Sequence, residues 1–344
     1  MIIPRKHIVV TRFSALGDVA MVVPVLRLVI ENYPEVEITM VTTQAMKPLF
    51  SQLPRCTFFA ADLKGRHKGP AGMYRLLKEL RAQKRIDAIA DLHQVIRTNM
   101  LGLLARLTGI TVKTIDKGRE EKKRLTQRTN KHLQQLPTSF ERYAAVFNEL
   151  GYPVDLTAKG SVLIPAPLPE VWKQWTESGK PVIGIAPFAF HQGKMYPLEK
   201  MFSVVKALSH ESVTILLFGG GSNEKQLLQE WEEKTNGRAR SVAGKFTLEE
   251  ELAMMARLRV LVSMDSANMH LAFLMGTPVI SIWGATHPFA GFYGWGQKPA
   301  SMLASDLPCR PCSVFGNKPC YRGDHACMHA ITPDEIIYAV RQYL

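Results

Sequence analysis

Apolar and polar positions along this chain follow two patterns. Short apolar runs, as long as a buried strand, are separated by segments in which apolar residues recur every three to four positions. That alternation is typical of parallel β-sheets covered by helices. In the first half it predicts strands near His7–Thr11, Glu37–Val41, Thr57–Ala60 and Ala88–Asp91. It predicts helices near Val19–Asn32, Met73–Gln83, Thr98–Leu107 and Phe140–Leu150.

A proline-rich passage interrupts the pattern before it restarts. This passage contains Pro153, Pro165, Pro167, Pro169 and Pro181, and it indicates a domain boundary. Beyond it, strands are predicted near Val182–Ala186, Val213–Phe218, Val260–Met264 and Pro278–Trp283. Helices are predicted near Leu198–Leu208, Asn223–Lys234 and Thr247–Leu258, from the turn Asp265–Met269 to Met275, and after the cap Thr332-Pro333-Asp334-Glu335.

The length of the chain agrees with two domains. Its 344 residues are about twice an average domain. We divide it into residues 1–165, residues 166–330 and a C-terminal helix over residues 331–344. The predicted class is α/β, with two Rossmann-like halves facing each other so that a ligand cleft lies between the carboxyl ends of two parallel sheets.

Charge is unevenly distributed and adds a hypothesis about partners. The net charge is +13, and residues 64–85 carry eight Lys or Arg against one acid, while residues 113–132 carry eight against three. Such runs indicate nucleic acid, a membrane surface or a phosphorylated substrate, or simply a solvated basic face. No nucleic-acid-binding signature accompanies them, so we expect no nucleic acid partner. No apolar run is long enough to span a bilayer and no secretory pattern opens the chain, so we expect a cytoplasmic protein.

Four of the five cysteines cluster near the C-terminus. Cys309, Cys312, Cys320 and Cys327 lie close to two histidines, so a zinc site is one interpretation. The second pair is spaced more widely than in the usual structural zinc patterns. We therefore favour a reduced structural loop and expect no metal cofactor.

Candidate chemistry lies in the loops that follow the strands. Asp18 could cap a helix, help to hold a phosphate or accept a proton. Asp265 and Ser266 could cap a helix whose first amides bind an anion, and His270 could be a satisfied core residue. Neither a P-loop nor a dinucleotide-binding glycine pattern occurs, which argues against a dinucleotide oxidoreductase. The four loops are Arg12–Asp18, Pro187–Lys194, Gly219–Ser222 and Asp265–His270.

Several ordered motifs carry a resemblance to a known family. An Arg-x-x-x-Leu-Gly-Asp pattern is formed by Arg12, Leu16, Gly17 and Asp18, and Asp265-Ser266-Ala267-x-x-His270 matches an Asp-[Ser/Thr]-Gly-x-x-His pattern. "HLAFLMGTPVISIWGATHP", the late cysteines and "ITPDEI" follow in the same order. The set resembles glycosyltransferase family 9, the ADP-heptose:lipopolysaccharide heptosyltransferases, over nearly the whole chain. The resemblance implies a GT-B fold with an acceptor-binding first domain and a nucleotide-sugar-binding second domain.

The resemblance also implies a reaction and roles for individual residues. The reaction is a metal-independent, inverting transfer of a heptose from an ADP-sugar to a hydroxyl of the lipopolysaccharide core. Asp18 would be the general base, Lys194 would neutralise the diphosphate, and His270 with the amides of Ser266–Met269 would stabilise the ADP leaving group. The implied nucleotide-sugar contacts are Phe246 at the adenine, Asp265, Ser266, Ala267, Asn268 and His270. Candidate acceptor contacts are Arg12, Ser14, Lys122, Lys123 and Arg124.

The implied partners are an ADP-heptose-like donor and an anionic lipid-linked acceptor, with peripheral attachment at the inner membrane. Ala267 departs from the glycine usual in the family, and it would be strained if its φ were positive. A glycosyltransferase of the same family that uses another nucleotide sugar stays open on the sequence alone, and so do two other classes. One is a non-catalytic sugar- or nucleotide-binding protein, and the other is a sugar-nucleotide epimerase or hydrolase of the same architecture.

Overall fold

The fold is described by a computed structural model over residues 5–157, 162–176, 179–298 and 301–344. The chain forms two units. Unit 1 comprises Met1–Gly118 and Pro137–Ala158, and unit 2 comprises Arg119–Leu136 and Lys159–Leu344. Among the helices of the described residues, none combines the length and the apolar composition needed to cross a lipid bilayer.

Unit 1 is built on a parallel sheet in the strand order β3-β2-β1-β4-β5. Each of the four strands predicted in this half is confirmed. The additional strand β5 was missed because its sequence, TVKT, is short and mostly polar, and it lies at the edge of the sheet. The strands are β1 Lys6–Thr11, β2 Val36–Thr42, β3 Cys56–Ala60, β4 Ala88–Asp91 and β5 Thr111–Thr114.

The helices of unit 1 follow the predicted order with one difference. The segment predicted as a single helix over Val19–Asn32 begins earlier and is divided at Met21 into two helices. The helices are α1 Leu16–Ala20, α2 Val22–Asn32, α3 Gly69–Gln83, α4 Ile96–Arg106 and α6 Ser139–Glu149. Helices α3 and α4 bury apolar faces in one core with residues of β1 and β4, including Val9 and Ile89.

Unit 2 contains a six-stranded parallel sheet in the order β11-β10-β9-β6-β7-β8. The four predicted strands are confirmed, and the two edge strands β8 and β11 were missed because each has three residues. The strands are β6 Val182–Ala186, β7 Thr214–Leu217, β8 Ala239–Ser241, β9 Leu261–Met264, β10 Val279–Trp283 and β11 Met302–Ala304.

Helices precede, separate and follow the strands of unit 2 along the chain. They are α5 Arg119–Leu125, α7 Val171–Thr176, α8 Leu198–Ser209, α9 Ser222–Lys234, α10 Leu248–Met255, α11 Ala267–Leu274, α12 Ala326–His329 and α13 Pro333–Arg341. The C-terminal helix α13 buries Ile336, Ile337 and Val340 in the same core as β6 and β7, so it is part of unit 2.

Residues 119–136 lie in unit 2, although the division made from the sequence places them in the first domain. The Lys122 ammonium lies 4.5 Å from the centroid of the Phe292 ring, and the Leu136 amide donates to the Phe289 carbonyl at 2.9 Å. The Lys131 ammonium donates to the Pro308 carbonyl at 3.1 Å. No local pattern indicates this placement, because every partner is more than a hundred residues away along the chain.

Candidate functional site

In unit 1, the candidate base Asp18 lies in the first turn after β1. Helix α1 begins at Leu16, and the side chain of Asp18 accepts a hydrogen bond from the Ala15 amide at 3.3 Å, so Asp18 does cap its own helix. Its side chain is 32% exposed. Within the described part of the chain, no hydrogen bond reaches its other oxygen, Oδ1. Helix capping and proton transfer are therefore compatible at this residue.

Arg12 is buried and holds Asp18 in place. The Arg12 Nη2 atom lies 2.5 Å from Oδ2 of Asp18, and Nη1 donates to the Leu92 carbonyl at 2.8 Å. Burial by itself would lower the pKa of Arg12, but Tyr143 and Asp18 raise that pKa above its ordinary value. The Tyr143 hydroxyl also donates to the backbone carbonyl of Asp18 at 3.3 Å. Arg12 is thus paired within unit 1, and its main role there is to position the Asp18 carboxylate.

His93 lies beside this ion pair, in the loop after β4. Burial, together with the charges of Arg12 and Lys117, lowers the pKa of His93 to about 3. Its Nδ1 accepts a hydrogen bond from the Phe13 amide at 3.3 Å, so in the neutral ring the proton is on Nε2. The loop is held by Asp91, whose Oδ1 accepts from the His93 amide at 2.9 Å and from the Thr11 hydroxyl at 3.1 Å. His93 is therefore a neutral hydrogen-bond donor next to Asp18.

The remaining acceptor candidates differ in exposure. Ser14 is exposed in the turn between β1 and α1, while Lys123 and Arg124 are exposed on α5. Lys122 is buried over the Phe292 ring and is anchored within unit 2. Lys123 and Arg124 are therefore the members of this basic triplet that can meet an external anion.

In unit 2, Lys194 and Asp265 form a buried ion pair. The Lys194 Nζ lies 2.8 Å from Oδ2 of Asp265, whose side chain is 3% exposed against 16% for Lys194. The Thr286 hydroxyl donates to the same carboxylate oxygen at 2.9 Å. These three residues follow β6, β9 and β10, three neighbouring strands of the sheet. The arrangement places an ammonium group at the carboxyl edge, where open α/β sheets bind ligands.

Helix α11 begins at the same edge, directly after Asp265. Ser266 is its N-cap residue, and the Ser266 hydroxyl lies 3.3 Å from that of Ser263. Ala267 and Asn268 form the first turn and are partly exposed, whereas His270 is buried. Ala267 lies within the right-handed helix, so the strain expected from a positive φ does not arise. The first amides of α11 are thereby available to an anion beside Lys194.

A segment far along the chain supports Lys194. The Gly193 amide donates to the Gly316 carbonyl at 3.2 Å, and a Cβ at Gly316, whose φ is +74°, would lie 2.7 Å from Cγ of Lys194. The buried Arg310 guanidinium donates to the Gly284 carbonyl at 2.6 Å and to the Thr286 carbonyl at 3.0 Å. This segment thus fixes both the Lys194 turn and the strand end that holds Asp265. Neither Gly316 nor Arg310 was a candidate from the sequence.

Phe246 lies before α10 and is partly exposed. Its ring packs edge-on against Trp175, with 5.9 Å between centroids, and the Arg240 guanidinium lies 5.6 Å from the Trp175 ring. In the glycine-rich loop after β7, the amides of Gly220 and Gly221 donate to the Glu224 carboxylate at 2.7 and 3.2 Å. That loop is therefore ordered by Glu224.

The late cysteines are all free thiols. Cys309, Cys312, Cys320 and Cys327 line one small pocket that also includes Gly193. Burial raises the pKa of Cys312 and of Cys327. In residues 5–157, 162–176, 179–298 and 301–344, no group of three or more His, Cys, Asp or Glu side chains is placed to hold a metal ion. The cysteines pack beside the segment that supports Lys194.

The sequence of this chain matches the model of a known protein family. The model of glycosyltransferase family 9 (heptosyltransferase) matches residues 73–319, well over half of the chain. Curated relatives are similar over most of their lengths. The lipopolysaccharide core heptosyltransferase OpsX of Haemophilus influenzae is 23% identical over 288 residues, which cover 82% of this chain and 80% of that protein. Lipopolysaccharide heptosyltransferase 3 of Escherichia coli is 26% identical over 306 residues, which cover 84% and 86%.

Solved structures share the fold. A glycosyl transferase family 9 protein from Veillonella parvula has a TM-score of 0.75 and 21% identity, covering 100% of this chain and 98% of that one. The E. coli heptosyltransferase WaaC, solved with ADP-2-deoxy-2-fluoro heptose, has a TM-score of 0.68 and 17% identity, covering 98% and 100%. The predicted α/β class with a GT-B type of fold is confirmed. With the family model matching most of the sequence, the chain belongs to glycosyltransferase family 9, the heptosyltransferases, and is a glycosyltransferase.

Proposed function

We propose that this enzyme transfers a heptose from an ADP-sugar to a hydroxyl of a lipopolysaccharide core acceptor, with inversion at the sugar carbon. The observation that carries the proposal is the Lys194–Asp265 ion pair at the start of α11. Relatives whose names include lipopolysaccharide heptosyltransferase support the acceptor class. A relative solved with ADP-2-deoxy-2-fluoro heptose supports the donor.

The donor would bind at the carboxyl edge of the unit 2 sheet. Lys194 supplies a point charge for the diphosphate, and the first amides of α11 bind the oxygens that become more negative as ADP leaves. The pairing with Asp265 restrains the ammonium before the donor arrives. Asp265 therefore acts chiefly as a positioning residue for Lys194. Ser266, Ala267, Asn268 and His270 surround the same helix start, and Phe246 provides an apolar surface for the adenine.

Asp18 would accept the proton of the acceptor hydroxyl. As the hydroxyl oxygen attacks the anomeric carbon, its proton passes to the Asp18 carboxylate, and the bond from that carbon to the diphosphate breaks with its electrons leaving on ADP. Attack from the face opposite the diphosphate inverts the carbon. Arg12 orients the base through Oδ2, and the partial exposure of Asp18 leaves it accessible to an acceptor. A positioned base of this kind contributes roughly 10²–10⁴ in rate.

The acceptor contacts and the location of the enzyme are part of the same proposal. Ser14 lies next to the candidate base, and Lys123 and Arg124 offer exposed cations for the phosphates of an anionic lipid-linked acceptor. We place the enzyme in the cytoplasm, attached peripherally to the inner membrane. Lys194 and the α11 amides supply the diphosphate counter-charge, so no metal step is included.

A panel of nucleotide sugars tests the donor. A ligand that binds the folded state raises the unfolding midpoint, and at equal concentration a tighter ligand raises it more. We expect ADP-heptose to stabilise the protein more than UDP- or GDP-sugars, and to yield ADP and a heptosylated acceptor only when the lipopolysaccharide core is present. Release of ADP without acceptor would instead indicate a hydrolase, and stabilisation by another nucleotide alone would contradict the proposed donor.

A further inference from the structure

Helix α4 exposes an apolar stripe that the core of unit 1 does not use. Its inner face, with Leu101 and Ala105, is fully buried. On the outer side, Ile96 is 82% exposed, Leu103 is 57% exposed and Leu107, the C-cap residue, is 77% exposed. Positions 96, 103 and 107 recur at helical spacing, so the three side chains share one face.

Helix α3 continues this surface with an aromatic residue and cations. Helices α3 and α4 contact each other and cover the same face of the sheet. Tyr74, Lys78 and Arg81 are all exposed and lie one above another on the outer side of α3. The solvent-facing surfaces of the two helices therefore form one face, which we call the α3–α4 face.

The charge of this face has a single sign. In residues 64–85 the one acid, Glu79, is 2.6 Å from Arg66, so it offsets part of the cluster only. Lys78, Arg81 and Arg97 form no ion pair with any described residue. A second copy of the chain would bring cations against cations here, which disfavours self-association through this face.

We propose that the α3–α4 face docks on an anionic phospholipid bilayer. Its exposed apolar side chains enter the headgroup region, and the surrounding cations bind lipid phosphates. Exposed apolar residues with cations nearby are complementary to a bilayer, whose interior is apolar and whose headgroups are negative. The inference rests on the proposed function, because a lipid-linked acceptor requires the enzyme to work at such a surface.

Docking through the α3–α4 face would bring the candidate base Asp18 close to a lipid-linked acceptor. Helix α4 starts after β4, at the same carboxyl edge of the unit 1 sheet that presents Asp18. Arg97, in the first turn of α4, is close enough to contribute to the lowered pKa of His93. The bilayer-facing surface thus extends to the edge where the acceptor would be activated.

Vesicle binding by surface variants tests the inference. The full chain is sedimented with vesicles of equal parts phosphatidylcholine and phosphatidylglycerol, and with vesicles of phosphatidylcholine alone. The variant Lys78→Gln/Arg81→Gln should bind the anionic vesicles about 25-fold more weakly, since each cation contributes about fivefold. The variant Leu103→Asp/Leu107→Asp should lose at least about tenfold, and low salt should recover only part of that loss because the apolar contacts are gone. Tyr338→Asp, at an exposed position on α13 of unit 2, is the matched control and should bind as the unaltered protein does.

Transfer to a de-acylated, water-soluble acceptor is measured on the same preparations, and unfolding midpoints confirm that the variants fold. We expect unchanged transfer with lost vesicle binding. Unaltered vesicle binding by both double variants would overturn the docking surface, and so would an equal loss of binding in Tyr338→Asp. A protein that binds no vesicles but forms a dimer, with the dimer lost in Leu103→Asp/Leu107→Asp, would also overturn it. Absence of transfer by a vesicle-bound protein would refute the proposed function and leave the docking surface supported.

Discussion

The two single substitutions that break the Lys194–Asp265 ion pair should together destabilise unit 2 by more than the double substitution does. In Lys194→Met the Asp265 carboxylate, 3% exposed, is left without its cation, and we expect a loss of about 3 kcal/mol in the free energy of unfolding. Asp265→Asn preserves an acceptor for Thr286, and Lys194 at 16% exposure reaches water more easily. We expect that variant to lose about 2 kcal/mol.

The double variant has no buried charge left to desolvate. We expect it to lose only about 2 kcal/mol, which corresponds to a coupling energy of about 3 kcal/mol between the two side chains. Urea unfolding followed by tryptophan fluorescence measures this in unit 2 specifically, since all five tryptophans belong to it. They are Trp172, Trp175, Trp231, Trp283 and Trp295.

The two single variants and the double variant also separate an effect on stability from an effect on ADP binding. ADP should bind the double variant weakly even though this variant is more stable than Lys194→Met, because the ammonium group for the diphosphate is gone. Additive losses, with a coupling energy below about 0.5 kcal/mol, would refute the view that the pair is a buried unit. Normal ADP affinity in Lys194→Met would refute the placement of the diphosphate.

Two further predictions address the supports of the site. The pKa of His93 is lowered to about 3, so the unfolded chain binds more protons than the folded one between that value and about 6.5, and stability falls as the pH is lowered through this window. In His93→Gln the free energy of unfolding, measured with urea, should decline less steeply between about pH 6 and pH 4, by up to about 1.4 kcal/mol per pH unit. An unchanged slope would exclude His93 as the source of the decline. Gly316→Ala should weaken ADP binding because its Cβ meets Lys194, whereas Gly323→Ala, with a similar φ of +79° and nothing within 4 Å, should cost only about 1 kcal/mol of stability. Equal ADP affinities in the two alanine variants, measured by calorimetry, would remove Gly316 as a support of Lys194.

The sequence was sufficient for the elements with a strong apolar pattern. Strands β4 and β6 were predicted at their observed bounds, because uninterrupted apolar runs mark buried parallel strands. Strands β5, β8 and β11 were missed, since three or four residues at a sheet edge carry too little apolar pattern to be distinguished from loops.

The candidate residues were found, but their partners were not. Asp18, Lys194 and Asp265 lie in segments that follow strands, which a local pattern can locate. The Lys194–Asp265 pair joins residues distant in sequence, and no local signal indicated that one would neutralise the other.

The same limit applies to other long-range contacts around the candidate residues. Tyr143 donates to the Asp18 carbonyl from a helix far along the chain, and Arg310 holds the Thr286 strand end through backbone carbonyls. The placement of Lys122 against Phe292 likewise depends on tertiary packing. Such contacts follow from how elements pack, and a single sequence records only their local character.

The central claim is that Asp18 accepts the acceptor's proton while the donor is held by residues of unit 2. Asp18→Asn keeps the size of the side chain and removes its basicity, and Asp116→Asn, at an exposed acid of unit 1, is the matched control.

The decisive measurement is the rate of heptose transfer to a lipopolysaccharide core acceptor by Asp18→Asn, with ADP affinity and the unfolding midpoint determined on the same sample. We expect a rate about 10²–10⁴ lower with ADP affinity within about twofold of the unaltered enzyme, and an unchanged rate in Asp116→Asn. Transfer by Asp18→Asn at close to the unaltered rate would exclude Asp18 as the base.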